Sequence, residues 1–136
     1  MHILLASSNR GKIVEIQAVL SDLPLEMVLP ADIGLQLQIE ESGATYAENA
    51  ALKARAYWQA SGMITLADDS GLEVEALDGA PGLHSARFSP LPGAQDADRR
   101  AHLLKKLRGY PLPANSPGWP AQFHCWVAIA DLKGEI

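Results

Sequence analysis

Residues 3–6, Ile-Leu-Leu-Ala, are an unbroken apolar run that gives way at once to the polar stretch Ser-Ser-Asn-Arg-Gly-Lys. A run this short, with no polar alternation, is the pattern of a central strand buried on both faces. Lys12 to Ser21 then sets Ile13, Ile16 and Leu20 at helical spacing, and Leu25 to Leu29 reads as a second strand before Pro30. The opening is therefore β-loop-α-β.

Downstream the alternation continues. The alanine-rich run from Thr45 to Ala60 has high helix propensity, and Thr45 with Glu48 forms a capping box at its start. Ile64 to Ala67 is again short and apolar, and Leu72 to Leu77 alternates apolar and acidic residues. The pattern predicts two strands flanking an acidic turn, Asp68-Asp69-Ser70-Gly71. Gly79-Ala-Pro-Gly82 signals a turn, and Asp96 to Arg108 reads as a charged surface helix ending at Gly109. A proline-rich loop from Tyr110 to Pro120 precedes a strand from Gln122 to Leu132, with Phe123, Cys125, Val127 and Ile129 at alternate positions. With no repeat or low-complexity tract, residues 1–136 read as one α/β domain, a mixed central sheet flanked by helices.

Composition limits the function. A chain of 136 residues, 48% hydrophobic and 20% charged, suits one domain with one core. A formal net charge of −5 argues against the broad basic surface that double-stranded nucleic acid requires, whereas a small anion needs only local positive charge. Cys125 has no cysteine partner, and Met-His-Ile-Leu-Leu-Ala has neither the basic residues of a signal peptide nor the length of a membrane span. The expectation is a soluble protein of the reducing cytoplasm.

Chemistry-bearing residues concentrate at three places. The first is Ser7, Ser8, Asn9, Arg10, Gly11 and Lys12, where a buried strand turns into a helix. A helix N-terminus offers N–H groups and partial positive charge to a phosphate, Gly11 permits close approach, and Lys12 adds a full charge. The spacing is not that of a Walker A loop, and an ordinary capped helix with a solvated lysine has the same composition. The second is Glu40-Glu41-Ser42-Gly43 and the helix after it, carrying Glu48, Asn49 and Lys53. Adjacent carboxylates suit a hard cation such as Mg²⁺, though paired acids are also common on solvated loops. Asn49 and Lys53 are four apart and share a helix face. The third is Asp68-Asp69-Ser70-Gly71, two carboxylates at the end of a buried run, where burial and mutual repulsion favour a bound cation. One aspartate holds a metal while the other takes a proton from water, or the segment is simply a turn in which Asp caps backbone N–H groups.

Three ordered segments carry a family resemblance: Ala-Ser-Ser-Asn-Arg-Gly-Lys-Ile-x-Glu-Ile, Glu-Glu-Ser-Gly-Ala-Thr-Tyr-x-Glu-Asn-Ala-x-x-Lys-Ala, and Ala-Asp-Asp-Ser-Gly-Leu-x-Val-x-Ala-Leu-x-Gly-x-Pro-Gly-x-x-Ser-Ala-Arg-Phe. Together they resemble the inosine/xanthosine triphosphate pyrophosphatases, the HAM1-like or RdgB-like dITP/XTP pyrophosphatase family. The resemblance implies an ITPase-like (Maf/HAM1) fold and Mg²⁺-dependent hydrolysis of ITP, dITP and XTP to the monophosphate and pyrophosphate. Position by position it implies that Ser7 to Lys12 contact the triphosphate, with Lys12 also assisting catalysis. It makes Glu40 a metal ligand and Asp69 both metal ligand and proton acceptor. Ser70 and Lys53 become substrate contacts, and Asp68, with Glu41, ligates metal or orients water. A homodimer is the assembly it implies.

Family members run on into a Gly-Phe-Gly-Tyr-Asp-Pro-like segment, a later lysine and a Ser-His-Arg segment that recognise the base, and none of these occurs here. The expectation is an incomplete C-terminal part with a sheet edge and apolar surface left exposed. Trp119, Phe123 and Trp126 read as core packing rather than a substitute base platform. Two alternatives stand beside the pyrophosphatase: a catalytically weak phosphate- or nucleotide-binding domain, and a Maf-like nucleotide pyrophosphatase.

Overall fold

The structure, a computed structural model, describes residues 1–136. Its regular elements are β1 (His2–Leu5), α1 (Arg10–Val19), β2 (Glu26–Val28), α2 (Tyr46–Ser61), β3 (Thr65–Val74), α3 (Asp96–Leu107) and β4 (Ala121–Ala130). Short 3-10 turns at Pro30–Ile33, Glu75–Leu77 and Gly82–Arg87 complete it. The strands lie in the order β2-β1-β3-β4, with β1 parallel to both of its neighbours. Ile3 faces Met27 on β2, and Leu5 faces Leu66 on β3. The α/β architecture expected from the sequence is the one present.

The chain divides into two compact units, Met1–Asp69 with Trp126–Ile136, and Ser70–Cys125. In the first unit, strand alternation sorts the core into two clusters. Ile3, Leu5 and Leu66 point to the side on which α1 packs Ile13, Ile16 and Leu20. Ala6, Ala67, Ala128 and Ala130 point to the other side, against Ala50 and Ala54 of α2. Small side chains on both surfaces let α2 approach the sheet closely. Fully burying a leucine such as Leu5 stabilises the fold by about 1.5–3 kcal/mol, so the α1 side carries the larger hydrophobic share.

Helix α2 begins as the sequence suggested, with one change. Thr45 Oγ1 accepts the Glu48 N–H at 3.2 Å, but the Glu48 carboxylate takes the N–H of Ala44 rather than that of the cap residue. The helix ends at Gly62, whose φ of 68° is the left-handed conformation that glycine adopts without a Cβ penalty.

Two sequence expectations are corrected. The predicted acidic turn at Asp68-Asp69-Ser70-Gly71 does not exist: β3 runs unbroken from Thr65 to Val74, and the second predicted strand gives way to a 3-10 turn from Glu75. A carboxylate is compatible with a buried strand when a cation meets it, and each aspartate here has one. Phe123 and Trp126 are not core residues either, being 71% and 52% exposed. In the first unit the buried positions of β4 are Ala128 and Ala130, while Val127 and Ile129 on the opposite side are exposed.

In the second unit the Phe88 ring meets the His102 ring edge-on at 5.2 Å and carries the Lys106 ammonium 5.1 Å from its centre. Ser85 Oγ donates to Gly82 O and accepts the Leu72 N–H, which fastens the 3-10 turn to the end of β3. Arg99 ties α3 to its own first turn by pairing with Asp96 and donating to the Ala94 carbonyl. No helix in the chain is long and apolar enough to cross a membrane.

Candidate active site

Consecutive residues of a strand point to opposite faces, so Asp68 and Asp69 leave β3 on different sides. Asp68 follows Leu66 to the α1 side, and Asp69 follows Ala67 to the α2 side. They are only 3% and 6% exposed. A buried carboxylate without compensation costs several kcal/mol. Each face supplies a lysine.

On the α1 side, Lys12 Nζ meets Asp68 Oδ2 at 2.5 Å. On the α2 side, Lys53 Nζ lies 2.8 Å from Glu41 Oε1 and 3.7 Å from Asp69 Oδ1. Asn49 Nδ2 donates to Asp69 Oδ2 at 3.0 Å, and Asn49 Oδ1 accepts the Gly43 N–H at 2.8 Å. The loop before α2 is thereby held against β3 at Asp69. On the α1 side Asp68 has Lys12, and on the α2 side Glu41 and Asp69 share Lys53. Two carboxylates on one face, both hard oxygen donors, suit a divalent cation that also keeps water and phosphate oxygens as ligands.

No group of three His, Cys, Asp or Glu side chains converges on a single metal position. The donor set fits a cation bound through one or two carboxylates, the arrangement Mg²⁺ tolerates, rather than an all-protein cage. Of the adjacent acids, it is Glu41 that the fold turns toward Lys53, while Glu40 is exposed.

The Ser7 to Lys12 segment forms the turn from β1 into α1. Asn9 caps the helix, its Oδ1 accepting from the N–H groups of Gly11 at 3.0 Å and Lys12 at 3.3 Å. These first-turn donors, which the sequence offered to an anion, already have a partner, so a phosphate has to share or displace the Asn9 cap. Ser7 Oγ accepts the Asn9 N–H at 3.3 Å, while Ser8 and Arg10 are exposed. Ser70 follows Asp69 on β3 as the first residue of the second unit. Lys12 and Lys53 are thus brought to Asp68 and Asp69 on the two faces of β3, and Ser8, Arg10 and Glu40 are exposed.

Sequence reasoning gave no role to Asn49 and Gly43. The signal for Asn49 was available: Tyr46, Asn49, Ala50 and Ala54 form the buried stripe of α2, and an amide on such a stripe demands partners.

Residues 3–136 match the Ham1 family. A dITP/XTP pyrophosphatase of Xanthomonas campestris is 45% identical over 94% of this chain, and one of Desulforamulus reducens is 40% identical over all of it. The chain spans 61% and 65% of those relatives' own lengths. Among solved structures, a HAM1 protein from Coxiella burnetii superposes with a TM-score of 0.76 at 38% identity, covering 95% of this chain and 62% of that one. A nucleoside-triphosphatase / dITP/XTP pyrophosphatase from Mycobacterium abscessus gives 0.74 at 38% identity, covering 99% and 68%.

Proposed function

This chain belongs to the Ham1 family, and from that premise we propose that it hydrolyses non-standard purine nucleoside triphosphates, ITP, dITP and XTP, to the monophosphate and pyrophosphate. The observation that carries the reading is the pair of buried carboxylates on opposite faces of β3, each met by a lysine from the helix on its own side.

In this mechanism Asp69 accepts the proton of the attacking water as its oxygen adds to the α-phosphorus. The bond to the bridging oxygen of the β-phosphate breaks, and pyrophosphate leaves. Lys12 and Lys53 stand where they can exchange a carboxylate for a phosphate oxygen, which offsets charge on the triphosphate as it arrives and on the pyrophosphate as it departs. Asp69 and Glu41 are the residues to hold Mg²⁺, which when bound polarises the phosphoryl oxygens; Glu40 and Asp68 are assigned to the metal by resemblance to the family. Ser7, Ser8, Asn9, Arg10, Gly11 and Ser70 are assigned to the triphosphate by resemblance to the family. So are the working of residues 1–136 as one ITPase-like domain, the homodimer and the cytoplasmic location.

A second reading, a triphosphate-binding domain with little turnover, draws on two facts. The chain covers about three fifths of its relatives' lengths, and Asn9 occupies the donors of the α1 N-terminus. Pyrophosphate release from ITP, XTP, GTP and ATP, with magnesium and with chelator, separates the two. The hydrolase releases pyrophosphate from ITP and XTP at least about 10-fold faster than from GTP, a discrimination of about 1.4 kcal/mol. Metal-dependent binding of all four triphosphates without pyrophosphate establishes the second reading.

A further inference from the structure

We propose that Asn49 is a positioning residue of this site, joining the acidic loop at Gly43 to Asp69 and fixing the angle at which the Asp69 carboxylate meets water and cation. The inference rests on the proposed hydrolysis and adds a residue on which that reading does not depend.

Asn49 is 2% exposed on the buried stripe of α2, between Tyr46 and Ala54. An amide placed there costs free energy unless both of its ends are paired. Both ends are, and in a fixed sense. The Gly43 N–H can only donate, so it requires the amide oxygen, which leaves the NH₂ group for Asp69 Oδ2. The orientation of the side chain follows from its partners.

The loop comes close enough to make this link specific. A Cβ added at Gly43 would stand 2.6 Å from Asn49 Oδ1 and 2.8 Å from Glu48 Cβ, so only glycine brings its N–H to this amide without displacing something. Helix α2 does not use the amide for its start: its cap is Thr45, whose Oγ1 accepts the Glu48 N–H. A leucine has a similar size but neither polar end. What the asparagine supplies beyond packing is an acceptor for the Gly43 N–H and one donor aimed at one carboxylate oxygen.

Lys53 and Asn49 divide the work at Asp69. The ammonium, at 3.7 Å from Oδ1 and also engaged with Glu41, contributes charge from the end of a long flexible chain. The short amide at 3.0 Å from Oδ2 contributes direction. Removing the amide changes no charge and takes away one directional bond to the carboxylate. Misplacement on the scale of 1 Å costs roughly 100-fold in rate.

A double-mutant cycle on the full chain tests this, reading pyrophosphate release from ITP with magnesium in wild type, Asn49→Leu, Asp69→Asn and the double variant. Asn49→Leu is expected to lower kcat about 100-fold with KM changed less than about 3-fold. In the Asp69→Asn background the same change is expected to cost less than about 3-fold, because its target is gone. Equal losses in both backgrounds, or a loss confined to KM, overturn the proposal and assign Asn49 to packing alone. If Asn49→Leu does not fold, Asn49→Asp takes its place in the cycle, since it keeps the shape and an acceptor for Gly43 but has no donor for Asp69. A wild-type chain that releases no pyrophosphate from any triphosphate overturns the hydrolysis and this inference together. Wild-type turnover with additive losses overturns only the inference.

Discussion

Two ion pairs in this molecule use the same chemistry with opposite consequences. Lys12 meets Asp68 in the middle of β3, where the Asp68 side chain is 4% exposed, and Arg99 meets Asp96 on the first turn of α3, where the Asp96 side chain is 71% exposed. The first pair joins residues 56 apart in sequence and makes a buried carboxylate tolerable. The second joins residues three apart on a solvated helix and trims a local fluctuation. Burial, not the presence of opposite charges, decides whether a salt bridge is structural, functional or incidental.

The contrast is sharpest when each pair is broken. Lys12→Met leaves Asp68 charged and unpaired inside the sheet, and unfolding in urea is expected to show a loss of about 3 kcal/mol, the lower end for buried pairs because Lys12 is partly exposed. Adding Asp68→Asn to that variant is expected to restore most of the loss, since the unpaired charge is then removed. A Lys12→Met chain as stable as wild type would place the Asp68 environment in effective contact with water.

Arg99→Ala is expected to cost well under 1 kcal/mol at neutral pH, and its effect carries a pH signature. The hydrogen bond from Arg99, and then its charge, hold the Asp96 carboxyl below its ordinary 3.8. A carboxylate lowered in the folded state contributes stability that is present above its unfolded value and is lost as pH falls through the folded one. The difference between wild type and Arg99→Ala should therefore be constant from pH 7 to about pH 5 and shrink by the Asp96 contribution as pH falls through the folded value, leaving what the bond to the Ala94 carbonyl adds. A difference that grows on acidification would show that the arginine acts through something other than Asp96.

The same contrast explains what was legible in the sequence. Local patterns were readable because their partners are near: the β-loop-α-β opening, the helix capped at Thr45, and the charged helix α3 whose acids lie in its first turn. The continuity of β3 was not, because two adjacent aspartates read as a turn until Lys12 and Lys53 arrive from distant segments to neutralise them. Glu41 rather than Glu40 reaching the cluster was also hidden, since which of two neighbours faces inward depends on the loop path, and that path is pinned by the Gly43 link to Asn49. The exposure of Phe123 and Trp126 was missed for a related reason. Strand periodicity names the sides of β4, but the number of helices available to cover them is a property of the whole fold.

The family and fold were therefore readable from motif order, which also implied the role proposed for Asp69, whereas which lysine meets each aspartate needed the faces of β3. Asp69, on the α2 side with Asn49, Lys53 and Glu41, is the proposed proton acceptor, and Asp68 is the partner of Lys12. Single-turnover pyrophosphate release from ITP with magnesium, comparing wild type with Asp69→Asn, tests that assignment most directly. The account predicts release by the wild-type chain and a fall of about 10³-fold or more in Asp69→Asn, with the variant still folded and still binding the triphosphate. Asp69→Asn turning over at the wild-type rate would contradict it.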